Sequence, residues 1–201
     1  MFKRTLVGIF SVFAFHHSVQ AADPVVLVYG DSLSAGYGLS ADQAWPMLLD
    51  RQLAAQGKKY RVVNASVSGE TTAGGLTRFP ATLKQHQPQW VILALGSNDG
   101  LRGLPIEAMK TNLAQMIEKA QSSGARVHLI GMQMPPNYGA NYTRQFAAVY
   151  QELARQYRLS LSPFLLEPII RQSNYFQPDQ LHPTAAAQPI LLKYILQNLK
   201  I

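Results

Sequence analysis

The chain switches repeatedly between two hydrophobic patterns. Val25-Val26-Leu27-Val28-Tyr29 is a continuous apolar run that stops at Gly30, as expected of a strand buried on both faces. Tyr60–Ala65, Trp90–Leu95 and Arg126–Ile130 read as a second, third and fourth strand, and Ser160–Phe164 as a short last one. Between them the period becomes helical. Trp45, Leu48, Leu49 and Leu53 share one face, with Pro46 in the opening turn and Gly57 ending the run. Thr72–Leu83 is a weaker helix whose start is made pliable by Gly74-Gly75. Met109, Leu113, Met116, Ile117 and Ala120 mark a stronger one, stopped by Gly124. Phe146, Val149, Tyr150 and Leu153 give the next, and Leu191, Tyr194, Ile195 and Leu199 the C-terminal helix. Such alternation predicts an α/β fold, a doubly wound parallel sheet with right-handed crossovers. Gly131–Tyr142, which contains Pro135, Pro136 and Gly139, is predicted to be a long loop, and loops of that length in compact domains are usually functional or disordered.

In open parallel sheets, ligands bind beyond the carboxyl ends of the strands. Asp31 and Ser32 follow the first strand directly. Ser32 can thus be a reactive hydroxyl at the sheet rim, or Asp31 and Ser32 can simply cap the next helix. A serine hydroxyl needs a base to accept its proton. Beyond the N-terminal segment the histidines are His86, His128 and His182. His128 lies inside the fourth strand, and His86 follows a helix on the side where the third strand begins. His182 sits in a loop with Asp179 three residues ahead. That spacing lets a carboxylate orient one ring nitrogen while the other faces a hydroxyl. Equally, Asp179 can be a turn residue and His182 a helix-entry residue before Pro183.

Four blocks taken together separate these alternatives: Gly30-Asp31-Ser32-Leu33, Ser68-Gly69-Glu70, Gly96-Ser97-Asn98-Asp99 and Asp179-Gln180-Leu181-His182-Pro183. In that order they resemble the blocks of the GDSL, or SGNH, hydrolase family. The longer strings Gly30–Gly38 and Asn98–Leu104 are similar to its secreted bacterial branch of thioesterase I, protease I, lysophospholipase L1 and arylesterase enzymes. The resemblance runs from about Val25 to the C-terminus. It implies a three-layer α/β/α fold with five strands in flavodoxin-like order. It also implies a catalytic Ser32, His182 and Asp179, with the Ser32 backbone N–H, Gly69 and Asn98 as oxyanion hole. Asp31 is expected to hold the loop by hydrogen bonds. Two positions depart from the family pattern: Gln180 stands where glycine is expected, and Ser97 replaces a glycine or alanine. Neither supplies a catalytic group, so any consequence falls on loop geometry. Leu101, Leu104, Met134, Pro135, Tyr138, Phe176 and Leu181 are the candidates for an apolar groove taking an acyl or aryl group.

Composition narrows the setting. With 201 residues, 47% of them hydrophobic, the chain suits one domain with a substantial core. Lys3 and Arg4, an apolar run from Leu6 to Phe15, and small residues at Val19-Gln20-Ala21 read as a signal peptide over residues 1–21, cleaved after Ala21 or Ala22. A retained anchor is the competing reading. The expected mature protein, residues 22–201, is periplasmic or secreted, monomeric and without stable membrane insertion. There is no cysteine, and so no disulfide framework. The formal charge of +7 is scattered, apart from Lys58-Lys59 and Arg61. It favours solubility and loose attraction to anionic surfaces, and is not a nucleic-acid signature. No Gly-x-Ser-x-Gly elbow, His-Glu-x-x-His pair or phosphate-cradling loop occurs, so no metal or cofactor is expected. The resulting expectation is an esterase for short- to medium-chain acyl esters, with thioesters and lysophospholipids as further substrates. Two alternatives stand beside it. One is a cell-envelope carbohydrate deacetylase or acyltransferase using the same site, and the other a flavodoxin-like binding or phosphoacceptor module using Asp31 and Asp99.

Overall fold

The computed structural model describes residues 23–201; the expected signal segment lies outside the described residues. Five parallel strands, β1 (Val25–Gly30), β2 (Arg61–Asn64), β3 (Trp90–Ala94), β4 (Arg126–Ile130) and β5 (Ser160–Ser162), form one sheet in the order β2-β1-β3-β4-β5. Every residue of β1 and β3 is buried, which is why their sequences are apolar without alternation. A right-handed crossover puts a helix on one face when the chain moves one way along the sheet and on the other when it reverses. The chain moves from β1 to β2, then turns back across β1 to β3. Helix α2 (Trp45–Ala55) therefore lies on one face with the C-terminal helix, whereas α3 (Thr72–His86), α5 (Ile106–Ser122) and α6 (Ala140–Gln156) pack in sequence on the other. The reversal leaves a crevice between the carboxyl ends of β1 and β3. Two short helices, α1 (Ser32–Ala35) and α4 (Ser97–Leu101), sit at that crevice. The C-terminal helix is α7 (Gln188–Asn198).

Several boundaries move for physical reasons. β5 stops at Ser162 because Pro163 has no N–H for the ladder. α3 continues through Pro80 to His86, anchored by buried Phe79 and Leu83. α6 starts at Ala140, well before Phe146, because in its first turn only Tyr142, half-buried against Phe146, continues the apolar stripe. The expected loop thus shortens to residues 131–139, with a 3₁₀ turn at Pro136–Tyr138. No described helix is long and apolar enough to cross a membrane.

His128 is fully buried in β4 between two hydroxyls, Nδ1 2.8 Å from Ser160 Oγ and Nε2 3.0 Å from Ser162 Oγ. Burial pushes its pKa down from 6.5 to about 4. The unfolded chain then takes up the proton first, so stability falls as pH drops from 6.5 towards 4. The expected contribution is about 3 kcal/mol between pH 7.5 and pH 4. Asp31, pushed up to about 6 by burial, acts in the opposite sense, its penalty growing as pH rises from 3.8 to 6. Urea unfolding of wild type and His128→Gln at both pH values isolates the histidine. If the difference between the two proteins is the same at both pH values, His128 is not the acid-labile group.

Candidate active site

The crevice is built from the strand ends outward. Gly30 of β1 and Ala94 of β3 are register partners, so the two following turns rise side by side. Asp31 caps α1: its Oδ1 accepts the Leu33 N–H at 3.0 Å, and its Oδ2 accepts the Ser97 hydroxyl. The capping role read from the sequence therefore belongs to Asp31, and the Ser32 side chain is left free. Asp31 is fully buried. Burial raises its pKa, while the bonds from Ser97 and Leu33 pull it back. Ser97, a departure from the family pattern, thus satisfies a buried carboxylate oxygen and ties the Ser32 turn to the Asn98 turn.

His182 Nε2 lies 2.9 Å from Ser32 Oγ, and its Nδ1 lies 2.7 Å from Asp179 Oδ2. Asp179 Oδ1 also accepts the N–H groups of Leu181 at 2.9 Å and His182 at 3.0 Å. The backbone and side-chain bonds from His182, then that from Leu181, pull the Asp179 pKa down to about 2. It is therefore a carboxylate at any ordinary assay pH. With Nδ1–H donated to that carboxylate, Nε2 presents its lone pair to the Ser32 hydroxyl. Gln180 takes the left-handed conformation expected of the family glycine, with φ 57°. Its N–H and side-chain amide both reach the Gln177 carbonyl, at 2.8 and 3.2 Å. The loop closes through Gln177 N–H to the His182 carbonyl at 2.8 Å, so glutamine supports the same turn.

On the other side of Ser32, Gly69 has φ 78°. An added Cβ would find open space, with Arg102 Nη2 the nearest atom at 3.8 Å. Glycine is therefore required by backbone conformation rather than by room. Its turn is tied to β1 by Val67 N–H donating to Gly30 O at 3.0 Å, and to α4 by Arg102 Nη2 donating to Gly69 O at 3.0 Å. Asn98 stands in a helical turn, and its Nδ2 donates one proton to Glu70 O at 3.0 Å, leaving the other available. The backbone N–H groups of Ser32 and Gly69 donate to no acceptor among the described residues.

Asp99, by contrast, is buried, with Oδ2 accepting Thr72 N–H at 2.8 Å and Oδ1 the Thr72 hydroxyl at 2.5 Å. Asp31 and Asp99 are both structural, and neither is the exposed carboxylate that a phosphoacceptor needs. Among the described residues no cluster of three or more His, Asp or Glu could hold a metal.

A groove of about 790 Å³ opens from Ser32, Asn98 and His182. Of the predicted lining residues, Leu101, Met134, Pro135, Phe176 and Leu181 face it. Leu104 and Tyr138 do not. Leu104 lines a separate hollow with Pro105, Tyr142 and Val149. The Tyr138 ring stacks on Tyr142 while its hydroxyl donates to Leu101 O at 3.2 Å, bracing the end of α4. The far wall is formed instead by Phe164, Leu166 and Ile170, with Glu167 and Arg171 at the same groove. That segment follows β5 and has no hydrophobic period. Its only signal is surplus apolar residues in an irregular stretch just before Asp179.

A hydroxyl facing an imidazole that a carboxylate holds, at the carboxyl ends of a doubly wound sheet, defines a serine hydrolase. The chain belongs to the GDSL-like lipase/acylhydrolase family, matching it over residues 28–189, and is an ester-hydrolysing enzyme. It is 48% identical to the esterase TesA of Pseudomonas aeruginosa over 181 residues, 90% of each chain. It is 41% identical to thioesterase 1/protease 1/lysophospholipase L1 of Escherichia coli K12 over 180 residues, 90% of this chain and 85% of that protein. Among solved structures, the psychrotrophic esterase EstA of Pseudoalteromonas sp., inhibited by monoethylphosphonate, superposes with a TM-score of 0.84 at 37% identity. That match covers 89% of this chain and 97% of EstA.

Proposed function

We propose an exported serine esterase of broad specificity in which Ser32 is the nucleophile, His182 the base and Asp179 the group that orients it. The observation that carries this is the continuous relay from Asp179 Oδ2 through His182 to Ser32 Oγ, at 2.7 and 2.9 Å. Ser32 Oγ bonds to the substrate carbonyl carbon as its proton passes to Nε2. Asp179 stabilises the imidazolium that forms. The negative charge on the carbonyl oxygen is received by the N–H groups of Ser32 and Gly69 and the free amide proton of Asn98. Collapse expels the alcohol or thiol, which takes the proton from His182. Water then repeats the cycle on the acyl-serine and releases the acid.

The apolar groove beside Ser32 supports acyl chains of short to medium length. Relatives named arylesterase and thioesterase 1/protease 1/lysophospholipase L1 support aryl esters, thioesters and lysophospholipids as further substrates. The basic, apolar and small-residue order of the N-terminal segment supports export to the periplasm or beyond. A monomeric, single-domain mature chain from residue 22 fits the same reading.

A p-nitrophenyl ester series tests the groove. Each buried methylene is worth about 0.8 kcal/mol, so kcat/KM should climb with acyl length and then level where the groove ends. Ile170, 47% exposed on the groove wall, should carry part of that gain. Ile170→Ala is expected to slow the octanoate roughly tenfold and the acetate far less. Tyr138→Ala should leave the octanoate-to-acetate ratio unchanged. An equal loss on both esters in Ile170→Ala would show that this wall does not hold the chain.

A further inference from the structure

One side chain touches His182 without entering the proton relay. The Tyr37 ring lies on the imidazole with ring centroids 4.4 Å apart and planes inclined by 35°. Tyr37 is 52% exposed, so burial does not hold it there. Its backbone does. Tyr37 N–H donates to Ser32 O at 3.2 Å, fixing it to the nucleophile turn. Gln177 Nε2 donates both to Tyr37 O at 2.7 Å and to Pro183 O at 3.0 Å, fixing the same residue to the His182 loop. Gly38, with φ 74°, follows directly, and a Cβ there would fall 2.3 Å from Gln177 Oε1. The chain is thus shaped to bring this amide across and to keep the aromatic ring over His182.

An aromatic face attracts a cation within about 6 Å of its centroid. The imidazole is neutral when it accepts the Ser32 proton and cationic while the tetrahedral intermediate exists. A contact that strengthens as charge develops lowers the barrier rather than merely binding substrate. The charged groups around the ring are Asp179 on its own loop, Asp31 behind Ser32, and Glu167 and Arg171 in the groove. Both aspartates favour the imidazolium, Asp179 through its contact with Nδ1 and Asp31 by its charge behind Ser32. Tyr37 covers a ring face and keeps water from screening that charge.

We propose that Tyr37 is a positioning residue for His182, holding the imidazole plane towards Ser32 and stabilising its protonated form during turnover. The proposal rests on His182 being the base. The ring, not the hydroxyl, does this, which separates it from a hydrogen-bonding or purely structural role. Tyr37→Leu is expected to lower kcat roughly fivefold, equivalent to about 1 kcal/mol, with little change in KM for p-nitrophenyl acetate. Tyr37→Phe should recover most of the rate. Titration with a phosphonate inhibitor counts folded active sites in each protein, so misfolding is not read as lost catalysis. Wild-type kcat in Tyr37→Leu, or a loss that falls on KM instead, would overturn the proposal, as would a loss in Tyr37→Phe equal to that in the leucine variant. Activity surviving in His182→Ala would remove the base assignment and this proposal with it. A silent Tyr37→Leu in an enzyme that needs His182 would remove this proposal alone.

Discussion

Ser32→Ala is expected to lower turnover of p-nitrophenyl acetate by on the order of 10⁶, the usual loss when a triad nucleophile is removed. What remains is the oxyanion hole and the groove, worth roughly 10³–10⁴ over water. The fold should persist. Asp31 caps α1, and the Ser32 hydroxyl contributes one hydrogen bond, to His182, whose net worth is about 1 kcal/mol. Neighbouring hydroxyls cannot substitute. Ser34 is fully buried, and the Ser97 hydroxyl is committed to Asp31. A fluorophosphonate should therefore label wild type once, at Ser32, and leave the alanine variant unlabelled. A folded Ser32→Ala protein that retained a tenth of the wild-type rate, or an adduct mapped to another serine, would sink the assignment.

The sheet was legible because β1 and β3 are buried on both faces and so are written as unbroken apolar runs. The helices were legible where they bury a stripe, as Met109 to Ala120 does in α5. Legibility failed where structure depends on something other than burial. The first turn of α6 offers only Tyr142, half-buried against Phe146, to the apolar stripe, so its helical start left a weak periodic trace. Tyr138 was expected in the groove because it lies in a glycine- and proline-rich loop. A loop's position does not say which way an aromatic ring turns, and stacking on Tyr142 decided it. Phe164, Leu166 and Ile170 were missed for the converse reason: an irregular segment has no period to read, although it supplies a wall of the groove. Ser97 and Gln180 could be recognised as departures, but not explained. One answers an unpaired oxygen on buried Asp31, and the other adopts a left-handed backbone closed by its own amide. Both facts exist only once distant turns have been brought together.

His182→Ala should match the serine variant, with turnover again reduced by on the order of 10⁶, since nucleophile and base act as a unit. Residue spacing pointed to His182, the histidine with an acid three residues ahead, and geometry shows why the other two cannot replace it. His86 occupies the last turn of α3, which runs back to the start of β3, at the end of the sheet away from Ser32. His128 is enclosed by Ser160 and Ser162, and burial pushes it down to about 4. It can be neutral at assay pH, but no substrate can reach it. His86→Ala and His128→Gln should therefore keep wild-type turnover per folded protein, with folding checked by circular dichroism. In wild type the rate should rise with pH as the His182 ring becomes neutral, because only the neutral ring accepts the serine proton. Asp179, held down to about 2, stays ionised throughout and contributes no limb of its own. Asp31, pushed up to about 6 by burial, also titrates, and an Asp31→Asn profile separates its influence from that of the imidazole. If His86→Ala or His128→Gln lost activity and phosphonate labelling as deeply as His182→Ala while keeping the wild-type circular dichroism and urea midpoint, the relay would have been drawn through the wrong ring.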